Sequence, residues 1–93
     1  MKNVCFSQRV SVPEDVLVNV LGGESVLLNL DTESYYGLDE VGTRMWQVLT
    51  ESESIQEAYD QLLSEYDVEP EKLHADLSEL VGELAERGLV EVG

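Results

Sequence analysis

The chain has 93 residues, of which 43% are hydrophobic, enough for one compact core and too few for a second, cofactor-binding domain beside it. Twenty acidic residues against five basic ones leave a formal charge of −15, which repels nucleic-acid phosphates and anionic membrane surfaces. The acidity lies mainly in the second half, where residues 51–93 hold 13 acids and 2 bases.

Residues 1–12 carry no sustained period, and Pro13-Glu14-Asp15 reads as a break. Val16, Val18 and Val20 then alternate with Leu17, Asn19 and Leu21, the period of an extended strand. Gly22-Gly23 can take the positive φ angles of a tight turn, after which Val26, Leu28 and Leu30 alternate with Leu27 and Asn29, so the pair is expected to form a β-hairpin. A second polar turn, Asp31-Thr32-Glu33-Ser34, leads to Tyr35-Tyr36, which suit a short third strand ended by Gly37.

From Asp39 the period becomes helical. Asp39 can cap a helix carrying Val41, Met45, Val48 and Leu49, with Trp46 beside the stripe as a core residue. Ser54 and Glu57 have the spacing of a capping box ahead of Ile55, Tyr59, Leu62 and Tyr66. Pro70 suits the first turn of a third helix with the stripe Leu73, Leu77, Leu80 and Leu84, Arg87 in its last turn and Gly88 just beyond. Residues 89–92 can close the chain as a short strand. Strands followed by helices predict an α+β domain with its helices on one face of a small antiparallel sheet, an order that also fits a winged helix-turn-helix.

Catalytic and metal chemistry find little support. The one histidine, His74, is far in sequence from the one cysteine, Cys5, so no nucleophile and base are paired, and together they cannot supply the four ligands of a structural zinc. Close carboxylate pairs are inevitable among twenty acids and carry no signal. A phosphopantetheine serine would require Asp-Ser-Leu at a helix start, whereas Asp76-Leu77-Ser78 lies inside one. The last helix offers Asp76, Glu79, Glu83 and Glu86 where a DNA-reading helix needs Lys or Arg. A non-enzymatic protein without cofactor or metal, and without nucleic-acid or membrane partners, is expected. A single cysteine and the lack of any apolar run near the ~20 residues of a membrane span fit the reducing cytoplasm.

The stretch Leu28-Asn29-Leu30-Asp31-Thr32-Glu33-Ser34-Tyr35-Tyr36-Gly37-Leu38-Asp39-Glu40-Val41-Gly42-Thr43-Arg44-Met45-Trp46, with a last helix ending Leu84-Ala85-Glu86-Arg87-Gly88-Leu89-Val90, resembles the PqqD-like family of recognition elements for ribosomally made, post-translationally modified peptides. A free-standing chain of this size is similar to those of lasso-peptide clusters. The resemblance runs from about Pro13 to Val92, with Asp39 where the family often has Asn, and treats residues 1–93 as one domain with its core at about 13–92.

What the resemblance implies is a winged helix-turn-helix with a three-stranded sheet. It would bind a precursor's leader peptide as a strand added between the third strand and the third helix, and deliver it to a leader peptidase and a cyclase. The positions that correspond are Thr32, Glu33, Ser34, Tyr35 and Tyr36 on a short edge strand, and Leu73, Asp76, Leu77, Leu80 and Glu83 on the last helix. Sheet alternation sends Tyr35 and Tyr36 to opposite faces, and the helical stripe is core first, with only its margins open to a groove. Asp76 and Glu83 share one margin; His74, Ser78, Val81 and Ala85 form the opposite one, and sequence alone leaves both open. The competing reading is an acidic regulatory protein, such as a DNA mimic, that binds a basic partner.

Overall fold

The computed structural model describes residues 5–93 as β1 (Val10–Ser11), β2 (Val16–Leu21), β3 (Glu24–Asn29), β4 (Ser34–Leu38), α1 (Glu40–Glu51), α2 (Ile55–Glu65), α3 (Pro70–Glu86) and β5 (Glu91–Val92). Strands β2, β3 and β4 form an antiparallel sheet in that order, and β1 pairs with β5 in a separate two-stranded ladder. This is the α+β, winged helix-turn-helix arrangement expected from the order of elements. Strand β1 had no periodic signal, because two residues are too few to show one. Of the aperiodic stretch 1–12, residues 1–4 lie outside the described residues.

Gly22 and Gly23 adopt φ of 60° and 88°, the left-handed pair that a two-residue hairpin turn requires. The expected hairpin follows, with Leu21 opposite Glu24 and Val16 opposite Asn29. On β3, Ser25, Leu27 and Asn29 are buried under the helices while Val26 faces solvent. Two of these buried residues are polar and satisfied: Ser25 Oγ and Thr43 Oγ1 lie 2.8 Å apart, joining β3 to α1, and Asn29 Nδ2 donates to the Gly88 carbonyl at 2.8 Å. Asn29 Oδ1 in turn accepts the N–H groups of Asp31 and Thr32, so one side chain shapes the β3–β4 turn and anchors it to the end of α3.

That turn corrects the expected third strand. Thr32 and Glu33 belong to the polar turn, as the run from Asp31 suggested, Glu33 with a left-handed φ of 58°, so the edge strand begins at Ser34 and not at Thr32. Gly37 does not end it; the strand continues to Leu38, whose side chain is buried just before Asp39 caps α1 by accepting the Gly42 N–H at 2.8 Å.

Ser54 caps α2 as expected, accepting the Glu57 N–H at 3.1 Å, but Glu57 reaches back to the Glu53 N–H instead of that of Ser54. The first amides of α2, which have no acceptor within the helix, are met by the N-terminal arm: Ile55 and Gln56 donate to the carbonyls of Gln8 and Phe6, both at 2.8 Å. Pro70 occupies the first turn of α3, and Trp46, Leu49, Ile55, Leu62, Leu77 and Leu84 fill the core between the helices and the sheet.

Candidate functional site

The alternation of hydrogen bonds in an antiparallel ladder determines which backbone groups of β4 are open. Leu21 and Glu24 flank a two-residue turn and so form a hydrogen-bonded pair, which aims the backbone groups of Glu24, Val26 and Leu28 at β2. Those of Ser25, Leu27 and Asn29 face β4, where they meet Leu38, Tyr36 and Ser34. The N–H and C=O groups of Tyr35 and Gly37 therefore point away from the sheet. Because β4 is an edge strand, these are unpaired ladder positions able to receive another extended chain.

Beside this edge lies an open cavity of about 410 Å³ lined by Tyr36, Leu38, Val41, Met45, Asp76 and Leu80. Its floor is apolar, and Asp76 stands at its wall, 3.5 Å from Lys72 on the same helix. Farther along α3, the Tyr36 hydroxyl donates to Glu83 Oε2 at 3.2 Å, Arg87 pairs with Glu83 at 3.6 Å, and the Arg87 guanidinium lies 5.1 Å from the centre of the Tyr36 ring. Burial, followed by the Glu83 carboxylate, pushes the Tyr36 phenol above its ordinary titration range. Asp76, Leu80 and Glu83 thus face β4.

On the opposite margin of α3, His74 stacks against a ring and Val81 is buried, while Ser78 is half-buried and Ala85 exposed. Phe6 stacks on His74 with ring centres 4.2 Å apart, Tyr59 meets both rings edge-on, and Val81 is fully buried. The margin that carries Asp76 and Glu83 is therefore the one beside β4, and the margin that carries His74 and Val81 lies against Phe6, Tyr59 and the core.

A family model described as Coenzyme PQQ synthesis protein D (PqqD) matches residues 24–90. The chain belongs to the PqqD family. The match includes β3, β4 and all three helices, hence both walls of the groove. Among solved structures, it is similar to TbiB1 in complex with the TbiA(beta) leader peptide, at 34% identity and a TM-score of 0.80, covering 87% of this chain and 94% of that one. It is also similar to a lasso peptide synthetase B1 complexed with the leader peptide, at 26% identity and a TM-score of 0.76, covering 91% and 98%. No curated protein matches the chain.

Within this PqqD-family fold the sequence-derived residues divide cleanly. Ser34, Tyr35 and Tyr36 lie on the edge strand, with Tyr36 turned toward α3 and Tyr35 72% exposed on the opposite face. Asp76, Leu80 and Glu83 flank the groove, whereas Leu73 and Leu77 are buried in the core and present no surface to a ligand. Thr32 and Glu33 sit in the turn beyond the strand. Gly37, Leu38, Val41, Met45 and Arg87 also lie beside this edge, although in the sequence Gly37, Val41, Met45 and Arg87 had only structural places. Among the described residues no cluster of His, Cys, Asp and Glu is arranged to hold a metal, and no helix is long and apolar enough to cross a membrane.

Proposed function

We propose that this protein is a non-enzymatic adaptor of peptide maturation. As one cytoplasmic domain spanning the chain, it binds the leader segment of a ribosomally made precursor, most consistently a lasso-peptide precursor, and delivers it to the leader peptidase and cyclase. The observation that carries the reading is the unpaired edge of β4 at Tyr35 and Gly37 beside an apolar groove on α3. The leader adds as a strand there: main-chain hydrogen bonds supply attachment, and alternate side chains enter the groove to supply selectivity. Support comes also from the two similar structures, each of which holds a leader peptide.

Ser34, Tyr35, Tyr36, Gly37 and Leu38 provide the receiving strand, and Leu80, Val41 and Met45 the apolar seat. Asp76 favours a leader with Lys or Arg beside its apolar anchors, since the anchors contribute burial and the charge orients the approach. Among the described residues Cys5 is hydrogen-bonded to Ser7 and His74 is stacked on Phe6, so the thiol is not paired with the imidazole, and the protein alone is expected to turn over no peptide or ester. Titrating a fluorescent leader peptide of its own pathway with the protein tests the reading. Saturable binding that a scrambled leader of equal charge fails to reproduce supports it, and equal binding of both peptides refutes it in favour of an acidic protein that captures basic partners.

A further inference from the structure

Helix α3 runs antiparallel to β4 across the groove. Asp76 lines the cavity beside Gly37 and Leu38, at the end of β4. The Gly88 carbonyl, just past α3, is bonded by Asn29, which pairs with Ser34 at the start of β4. The groove therefore has two chemically different ends. An acid stands at the Leu38 end and Arg87 at the Ser34 end, with Leu80 on the helix between them.

Arg87 is held in place without being saturated. Its guanidinium lies 5.1 Å from the centre of the Tyr36 ring, and the Glu83 oxygen paired with it is 3.6 Å away, beyond hydrogen-bond reach. Glu83 is drawn the other way, because its second oxygen accepts the Tyr36 hydroxyl at 3.2 Å. Among the described residues nothing accepts a hydrogen bond from this guanidinium, and the side chain is 47% exposed. Arg44 supplies the contrast, with both oxygens of Glu65 bonded at 2.8 and 2.7 Å. A planar fork backed by an aromatic ring, with its donors unused, is a preorganised seat for a carboxylate. The surrounding field makes that seat selective. In a chain of −15, with Asp76, Glu79 and Glu83 on the groove side of α3, an anionic ligand side chain is repelled except beside a cation.

We propose that Arg87 is a subsite for an Asp or Glu side chain of the leader, and that with Asp76 at the other end it makes the groove read the order of charges along the bound strand. The proposal rests on the adaptor reading and adds the chemistry of the ligand to it. Asp76 and Arg87 are separated along the helix by about 16 Å, which an extended peptide covers in roughly five residues. Alternate residues of an added strand face the groove. An acid and a cation about four to six residues apart, with an apolar side chain between them, therefore engage Arg87, Asp76 and Leu80 together. The reverse order sets acid against Asp76 and cation against Arg87, and both contacts repel.

Fluorescence anisotropy of the labelled leader peptide of the protein's own pathway tests this through a double-mutant cycle. Each Asp or Glu of the leader is replaced in turn by its amide, and each peptide is titrated with the wild type and with Arg87→Gln. Arg87→Gln is expected to bind the unaltered leader about fivefold more weakly. One amide substitution should weaken binding to the wild type by about the same factor and have no further effect on Arg87→Gln. Lys at that leader position should restore to Arg87→Glu much of the affinity that this variant loses. Interchanging that acid with the Lys or Arg beyond the apolar anchor should cost the wild type about tenfold or more. The subsite is overturned if Arg87→Gln binds the unaltered leader as the wild type does, or if the leader carries no acid. It is equally overturned if every amide substitution weakens both proteins alike, which would leave Arg87 a support for Glu83 and Tyr36. Equal binding of the interchanged leader overturns the reading of charge order. Absence of saturable leader binding by the wild type would refute the adaptor reading, and the subsite with it, whereas the other failures leave that reading standing.

Discussion

The Tyr36 hydroxyl donates to Glu83 across the groove at 3.2 Å, joining the receiving strand to α3 over 47 residues of sequence. With Arg87 beside both, the contact holds the sheet and helix at a set spacing where the groove passes between them. Tyr36→Phe removes the bond yet leaves Glu83 its Arg87 partner, so a loss of about 1 kcal/mol in chemical denaturation is expected. The phenol titrates above its ordinary 10.0, so the folded state holds its proton more tightly. That contribution to stability is complete below the unfolded value and is lost as pH rises through the folded one. Absorbance titration should show the raised value, and Glu83→Gln should bring it back toward 10.0.

Strand addition predicts an asymmetry between neighbouring proline substitutions. The Tyr35 N–H faces the free edge, so Tyr35→Pro removes a donor to the leader without removing a β3–β4 bond, whereas Tyr36→Pro breaks the ladder itself. Leader binding should be lost in both, but only Tyr36→Pro should lower the melting temperature steeply; Tyr35→Phe should bind nearly normally. If Tyr35→Phe binds as poorly as Tyr35→Pro, side-chain chemistry and not strand addition holds the leader.

The groove on α3 predicts which helical substitutions matter. Leu80→Asp should abolish leader binding in a protein that still melts cooperatively, because Leu80 is only partly buried. Asp76→Lys should weaken binding by about 1 kcal/mol for a leader with a nearby cation, as loss of a partly desolvated charge contact does. A calorimetric titration showing no change for either variant would remove α3 from the site.

Asn29 and Gly88 are expected to be stability positions. Asn29→Ala leaves the Gly88 carbonyl and two turn amides without their partner and should cost about 2 kcal/mol by denaturant unfolding. Gly88 has a φ of 73°, and a Cβ there would stand 3.0 Å from Asn29 Nδ2, so Gly88→Ala should cost at least about 1 kcal/mol.

The Arg44 guanidinium bonds both oxygens of Glu65, at 2.8 and 2.7 Å, and brings that carboxyl down to about 2 from 4.5. A lowered folded value means that the link between α1 and α2 contributes above the unfolded value and fades as pH falls from 4.5 toward 2. NMR titration of the Glu65 carboxyl should show it returning toward 4.5 in Arg44→Met.

Local chemistry alone determined much of this protein. Alternation from Val16, the Gly22-Gly23 turn, the Asp39 and Ser54 caps and Pro70 are each read from neighbours a few residues apart, and each element stands where those signals put it, to within a few residues. The PqqD-family resemblance was likewise legible in the succession from Leu28 to Trp46. Contacts between distant residues decided the rest. Asn29, bonded to a carbonyl 59 residues away, moved the start of β4 to Ser34, and burial of Leu38 carried the strand through Gly37. Helical periodicity placed Leu77 and Leu80 on one stripe; only packing buried the first and left the second on the groove. The same period could not rank the two margins of α3, because it counts residues around an axis and contains nothing of what lies across from them. Phe6 stacks on His74 at one margin and Tyr36 bonds Glu83 at the other, both through partners more than 40 residues away in sequence.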